Sequence, residues 1–202
     1  MTLSKYPRPV RDIHQIELSS RCNLCCVYCP HHPVLPRTKE DMGEDVFVAS
    51  LDLVRFYVRQ GTQTELSLTG IGESMLHPKF VEYVTRAREV IGNNRPLVIT
   101  TNGILLTEQM AAALAPLKPM VFISLHRPEK AGPAIEIAKR HGIYAGSNSA
   151  FATSAFDWAG EQAGWFVSAP RIPCEYLRQG WAVVLVDGRV ATCCLDADGS
   201  SK

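Results

Sequence analysis

The strongest constraint on the fold is an alternation of short strand-like and longer helix-like segments along most of the chain. Residues 13–18 (IHQIEL) alternate and read as a strand. Residues 44–60 set Phe47, Leu51, Val54 and Val58 on one helical face. Residues 65–69 (ELSLT) read as a second strand, stopped by Gly70-Ile71-Gly72. Residues 78–91 follow as a helix, with Pro78 suited to its first turn and Phe80, Val84, Ala87 and Ile91 as its stripe. Residues 97–101 form a third strand, closed by the turn signal Asn102-Gly103. Thr107 then caps a third helix carrying Met110, Leu114 and Leu117. Residues 120–125 read as a fourth strand, 130–140 as a short helix, 143–147 as a fifth strand and 165–168 as a sixth, whereas 151–164 fit neither pattern. Residues 182–186 and 189–192 are the arms of a hairpin that turns at Asp187-Gly188.

Repeated β-α units imply a parallel sheet covered by helices. Four clear units are too few for a complete eightfold barrel, which takes about 250 residues. An open partial barrel or a doubly wound sheet remains, and in both the ligand lies at the carboxyl ends of the strands. The cysteine-rich loop after residue 18, the Gly-Ile-Gly-Glu turn, Thr101-Asn102-Gly103 and Ser124-Leu125-His126 all follow strand ends, so they share one rim. The 202 residues are 46% apolar and 20% charged, ordinary for a globular chain that buries its own core, which excludes disorder, collagen and coiled coil. A net charge of +1 names no partner by sign. The first residues, MTLSKYPRPVRD, hold no apolar leader, and the longest apolar run, 181–186, is too short to span a bilayer. A cytoplasmic protein with no membrane partner is expected. In a reducing compartment, clustered cysteines serve as metal ligands more often than as disulfides.

The first cluster reads Arg21-Cys22-Asn23-Leu24-Cys25-Cys26-Val27-Tyr28-Cys29-Pro30. Cys22, Cys26 and Cys29 have the spacing C-x3-C-x2-C. Three thiolates on one tight loop suit three irons of a [4Fe-4S] cube and leave the fourth iron open for chemistry. A zinc site is the competing reading, because Cys22/Cys25 and Cys26/Cys29 are two CxxC pairs. The pairs abut, however, and one short loop would have to wrap a tetrahedron. Cys25 is the spare thiol.

The loop resembles the CxxxCxxC motif of the radical S-adenosylmethionine (radical SAM) superfamily, with Tyr28 as the aromatic before the third cysteine. Gly70-Ile71-Gly72-Glu73 is similar to the family's Gly-Gly-Glu motif, slid by one with Ile71 in the middle; Leu76-His77-Pro78 follows it as in relatives. The resemblance covers residues 13–126 well and 127–169 poorly. It implies an abridged α/β partial (β/α)6-type barrel over 1–169, a [4Fe-4S] cluster on Cys22, Cys26 and Cys29, and SAM held near Tyr28, Gly70, Gly72, Glu73, Asn102, Ser124 and His126. Taken alone, Gly70–Glu73 is a strand-to-helix turn, Asn102 a turn residue and Ser124 a strand-end hydrogen-bonder. His31 and His32 read as solvated, and the loop carrying Arg37, Lys39 and Glu40 as a lid candidate.

Cys174, Gly188 and Cys193 match C-x9–15-G-x4-C, which resembles the opening half of a SPASM or twitch extension, here over 170–202. The closing run of cysteines is missing from the eight residues after Cys194. Cys174, Cys193 and Cys194 therefore hold one auxiliary iron–sulfur cluster, bind no metal in a reduced extension, or form a disulfide or zinc site; the reduced extension is favoured. The resemblance implies reductive cleavage of SAM to a 5′-deoxyadenosyl radical. That radical would abstract hydrogen from a peptide or amino-acid-bearing substrate, including an amino acid on a larger carrier such as a nucleobase. An external one-electron reductant of flavodoxin or ferredoxin type is implied as a partner. A non-catalytic iron–sulfur or zinc-binding module is the alternative.

Overall fold

The structure, a computed structural model, describes residues 9–26, 29, 31, 38–125, 127–148 and 175–194. Its elements run β1 (Asp12–Ile16), α1 (Glu44–Arg59), β2 (Leu66–Ser67), α2 (Phe80–Ile91), β3 (Leu97–Thr101), α3 (Glu108–Leu114), β4 (Met120–Ser124), α4 (Pro128–Arg140), β5 (Tyr144–Asn148), α5 (Glu175–Gln179), β6 (Trp181–Val184) and β7 (Val190–Ala191). One seven-stranded sheet has the order β5-β4-β3-β2-β1-β6-β7. Every neighbouring pair is parallel except β6–β7. The first five strands thus follow chain order, the order of a partial barrel and not of a doubly wound sheet. The α/β parallel architecture read from the sequence is what forms. The sixth strand expected at 165–168 lies outside the described residues.

The helices form where the stripes fall. Phe47, Leu51 and Val54 of α1 and Phe80, Val84, Ala87 and Ile91 of α2 are buried, each apolar side chain contributing about 1.5–3 kcal/mol if fully removed from water. Thr107 accepts a side-chain hydrogen bond from Met110 N and caps α3. Helix α4 begins at Pro128, two residues before the expected start, because proline is pre-shaped for the first turn. Helix α2 begins two residues later than expected, after a 3-10 turn over Ser74–Leu76.

Strand β1 departs most from its reading. Its apparent alternation hides a bulge: Ile13 pairs with Ala182 and Gln15 with Val183, leaving His14 as the extra residue. The His14 ring stacks on Trp181, with centroids 3.8 Å apart. The hairpin turns at Asp187-Gly188 as expected, but its first arm is laid parallel against β1 and extends the same sheet.

Among the described residues, helices α1–α4 cover one face of the sheet, and on the other Tyr176 of α5 packs against Val183 beside β1. Leu97, Ile99, Val121 and Ile123 face the helices and are fully buried. Register partners share a face, so Gln15, Ser67, Val98, Met120 and Tyr144 form one row on the other side, and Thr100, Phe122 and Gly146 the next. Phe122 reclines on Gly146, where a Cβ would stand 2.8 Å from the ring. Among the described residues no helix is long and apolar enough to cross a membrane.

Candidate functional site

The cysteine loop leaves β1 through Leu18, Ser19 and Ser20, and residues 38–42 return alongside. Met42 N donates to Leu18 O at 2.9 Å and Ser20 N to Glu40 O at 2.9 Å. Ser19 Oγ donates to Asp41 Oδ1 at 2.7 Å, and Glu40 N to Ser20 Oγ at 2.9 Å. The Arg21 guanidinium binds both Asp41 oxygens, at 3.1 and 2.5 Å, and also reaches Leu76 O at 3.2 Å. A bidentate pair of this kind fixes orientation as well as adding energy. Both ends of the loop are therefore clasped at one place. Glu40 anchors the end of the loop read as a lid candidate, with Lys39 exposed beside it, and Arg37 lies outside the described residues.

Cys22, Cys26 and Cys29 are half-buried free thiols, while Cys25 is exposed. Cys29 N donates to Cys26 O at 3.1 Å, a turn that draws the last two of the three together. Burial pushes the Cys22 thiol up, opposed by the Leu24 backbone N–H and reinforced by Glu73, Cys26 and Cys25. Burial also pushes Cys29 up to about 11, opposed by the His31 N–H and reinforced by Cys26 and Cys22. The three sulfurs thus feel one another across a shared space. Their donor chemistry fits an iron–sulfur cube, and binding one releases the thiol protons. Among the described residues, no three His, Cys, Asp or Glu side chains converge on a single ion. His31 is buried, with Nε2 2.9 Å from Ser20 O, so the solvated reading of this histidine is corrected. His32 and Tyr28 lie outside the described residues.

The Gly70–Glu73 turn rests directly on this loop. A Cβ at Gly72 would stand 2.2 Å from Ser19 O and 2.5 Å from Arg21 O, so only glycine fits. A Cβ at Gly70 would strike the Glu17 side chain at 2.2 Å. Ile71, half-exposed between them, meets no such constraint, which explains why the middle position tolerates a large residue. Glu73 N donates to Arg21 O at 2.7 Å. The Glu73 carboxyl is buried and accepts from Asn102 N at 2.8 Å, Thr101 Oγ1 at 2.9 Å and Met75 N at 3.1 Å. Burial raises its pKa, and these three donors oppose the rise. Asn102 completes the circuit: its Nδ2 donates to Asn23 Oδ1 at 2.7 Å, and its Oδ1 accepts from Ile104 N at 3.0 Å.

The candidate residues Cys22, Cys26, Cys29, Gly70, Gly72, Glu73 and Asn102 are thus joined through contacts at the carboxyl ends of β1, β2 and β3. Ser124 is buried at the end of β4. His126 and Cys174 lie outside the described residues. Cys193 and Cys194 are half-buried just past β7, on the far side of β6 from β1. Cys194 packs with Tyr176 against Val183, Leu185 and Ala191. Sequence reasoning missed Asp41, Asn23 and Glu17. Only Glu17 left a signal, an acid inside an otherwise apolar strand end.

A parallel partial barrel with a three-cysteine loop and a glycine turn at its strand ends defines a class of metal-dependent SAM proteins. The family model of the radical SAM superfamily matches residues 16–152, and the chain belongs to that superfamily. Membership brings the family's cofactors, a [4Fe-4S] cluster and SAM. The chain is 38% identical over 115 residues to the tungsten-containing aldehyde ferredoxin oxidoreductase cofactor-modifying protein of Pyrococcus furiosus, covering 54% of this chain and 29% of that protein. It is 29% identical over 136 residues to the GTP 3′,8-cyclase of Aquifex aeolicus, covering 64% of this chain and 40% of that protein. The chain spans less than half the length of such curated relatives. In fold it is similar to BtrN in complex with AdoMet and 2-DOIA, with a TM-score of 0.72 and 20% identity over 94% of this chain and 75% of that one. It is also similar to anSMEcpe with bound AdoMet and a Cp18Cys peptide, with a TM-score of 0.54 and 22% identity over 69% and 42%.

Proposed function

We propose that this chain is the SAM-cleaving core of an enzyme that abstracts hydrogen from an organic substrate seated on the face of the sheet opposite helices α1–α4. The close seating of the Gly70–Glu73 turn on the cysteine loop, through Glu73 N and Arg21 O and the approach of Gly72 to Ser19 and Arg21, carries this reading. It holds the metal-ligating thiols and the expected SAM-contacting backbone in one rigid arrangement, as preorganised catalysis requires. Cys22, Cys26 and Cys29 hold the cluster, and Gly70, Gly72, Glu73, Asn102 and Ser124, with Tyr28 and His126, line the SAM site. When bound, the cluster and SAM together supply the electron and the radical chemistry. The chain's own residues orient and shield it. Glu73 locks the ends of β2 and β3 at a fixed separation, Asn102 ties that lock to the cysteine loop, and the clasp keeps the loop from opening. Phe122 and Thr100, one row below the strand ends, offer the substrate an apolar surface and a hydroxyl.

The substrate we propose is a peptide or other amino-acid-bearing molecule, free or on a larger carrier. The likeness of Cys174, Gly188 and Cys193 to a peptide-modifying subgroup supports it, as does the peptide bound to anSMEcpe. An external one-electron donor of flavodoxin or ferredoxin type supplies the reductant. Anaerobic reconstitution with iron and sulfide tests the core claim. The protein should turn brown, retain SAM and release 5′-deoxyadenosine when reduced. A brown protein that leaves SAM intact under reduction would be a non-catalytic cluster carrier, and a colourless zinc-containing one would sink the reading altogether.

A further inference from the structure

Glu17 is an acid placed where the sequence otherwise spends apolar residues. It follows β1 between Ile16 and Leu18, both fully buried, and is itself 1% exposed. Its two oxygens are divided between two separate parts of the chain. Oε1 accepts from Ile71 N at 3.1 Å, in the turn after β2. Oε2 accepts from Val186 N at 3.2 Å, in the hairpin after β6. The Glu17 backbone joins the same hairpin, with its N–H donating to Val184 O at 2.9 Å. Gly70 lacks a side chain at the place where the Glu17 chain passes, its ideal Cβ falling 2.2 Å from Glu17 Cγ. An apolar residue at this site would leave the buried Val186 N–H and the part-buried Ile71 N–H without this acceptor, which is costly.

We infer that Glu17 is a positioning residue that makes the C-terminal hairpin part of the SAM site, by holding the Gly70–Gly72 turn and Val186 on one buried carboxyl group. This rests on the proposed role of that turn in holding SAM. The hairpin then has a duty independent of any metal on Cys193 or Cys194: it braces the turn through Glu17. Loosening either end of the bridge should be felt at the other.

The test compares the reconstituted wild-type chain, E17Q and V186P by equilibrium SAM binding, with iron content, circular dichroism and amide exchange measured on the same samples. E17Q keeps the shape but turns an NH2 group toward one of the two N–H donors. V186P leaves Glu17 intact and removes the distant donor. Both variants should bind SAM roughly tenfold more weakly, as expected for the loss of one buried hydrogen bond. Both should also show faster exchange at the Ile71 amide, with iron content and circular dichroism unchanged. SAM affinity within twofold of wild type in both variants overturns the inference, as does a loss that merely tracks cluster loss or unfolding. Wild-type protein that carries its cluster but fails to bind SAM overturns the underlying reading instead, and this inference with it.

Discussion

The Glu73 carboxyl accepts a hydrogen bond from the backbone N–H of Asn102 at 2.8 Å, so the end of β2 is bolted to the end of β3 through a buried acid. Thr101 Oγ1 and Met75 N share the same carboxyl. Glu73→Gln leaves the volume unchanged and puts a donor where an acceptor is needed. It should cost about 1–3 kcal/mol of stability. It should also weaken SAM retention, and anaerobic thermal melts with and without SAM check both effects.

Gly72→Ala inserts a methyl group 2.2 Å from Ser19 O, against backbone that has nowhere to move. The expected result is a loss of about 1–3 kcal/mol or more and poor cluster incorporation. Ile71→Val, at the neighbouring position, should be nearly silent. Iron content and melting temperature of the two variants give the comparison.

Cys26→Ala should abolish the brown chromophore and SAM cleavage, whereas Cys25→Ala, at the exposed thiol, should preserve both. Iron and sulfide analysis with a 5′-deoxyadenosine assay reads the outcome. Equal loss in both variants would count against the C-x3-C-x2-C assignment.

His14 gives the fold a pH dependence away from the cysteines. Burial lowers its pKa from 6.5 to about 4. Glu65, 3.2 Å from Nε2, does not reverse this, since burial and Asp12 hold its own carboxyl up. The unfolded chain therefore binds a proton on His14 before the folded chain does. Its contribution is complete above pH 6.5 and falls away as the pH drops toward 4, by an amount on the order of 3 kcal/mol. Urea unfolding at pH 7 and pH 5 should show the loss, and His14→Gln should flatten it.

The helices and the parallel α/β character of the sheet were legible because the helices depend on a local period and the sheet on the repeat of β-α units: Phe47, Leu51 and Val54 must share a face whatever surrounds them. The glycine turn was legible as a motif, but its reason, the backbone of Ser19–Arg21 pressing on Gly72, is a long-range contact with no local trace. The His14 bulge stayed hidden because it arises from pairing with Trp181–Val184, far along the chain. The clasp was hidden likewise, since Arg21 and Asp41 look like two ordinary surface charges. The hairpin could be read from Asp187-Gly188, but its place beside β1 could not, because a strand's own residues do not name its neighbour.

Phe122 rests against position 146, where an ideal Cβ would fall 2.8 Å from its ring. A larger residue there would have to displace the aromatic side chain. One glycine, well removed in sequence from the sulfurs, thus decides where Phe122 sits, so that row of the sheet can be reshaped while the cysteine loop is left alone.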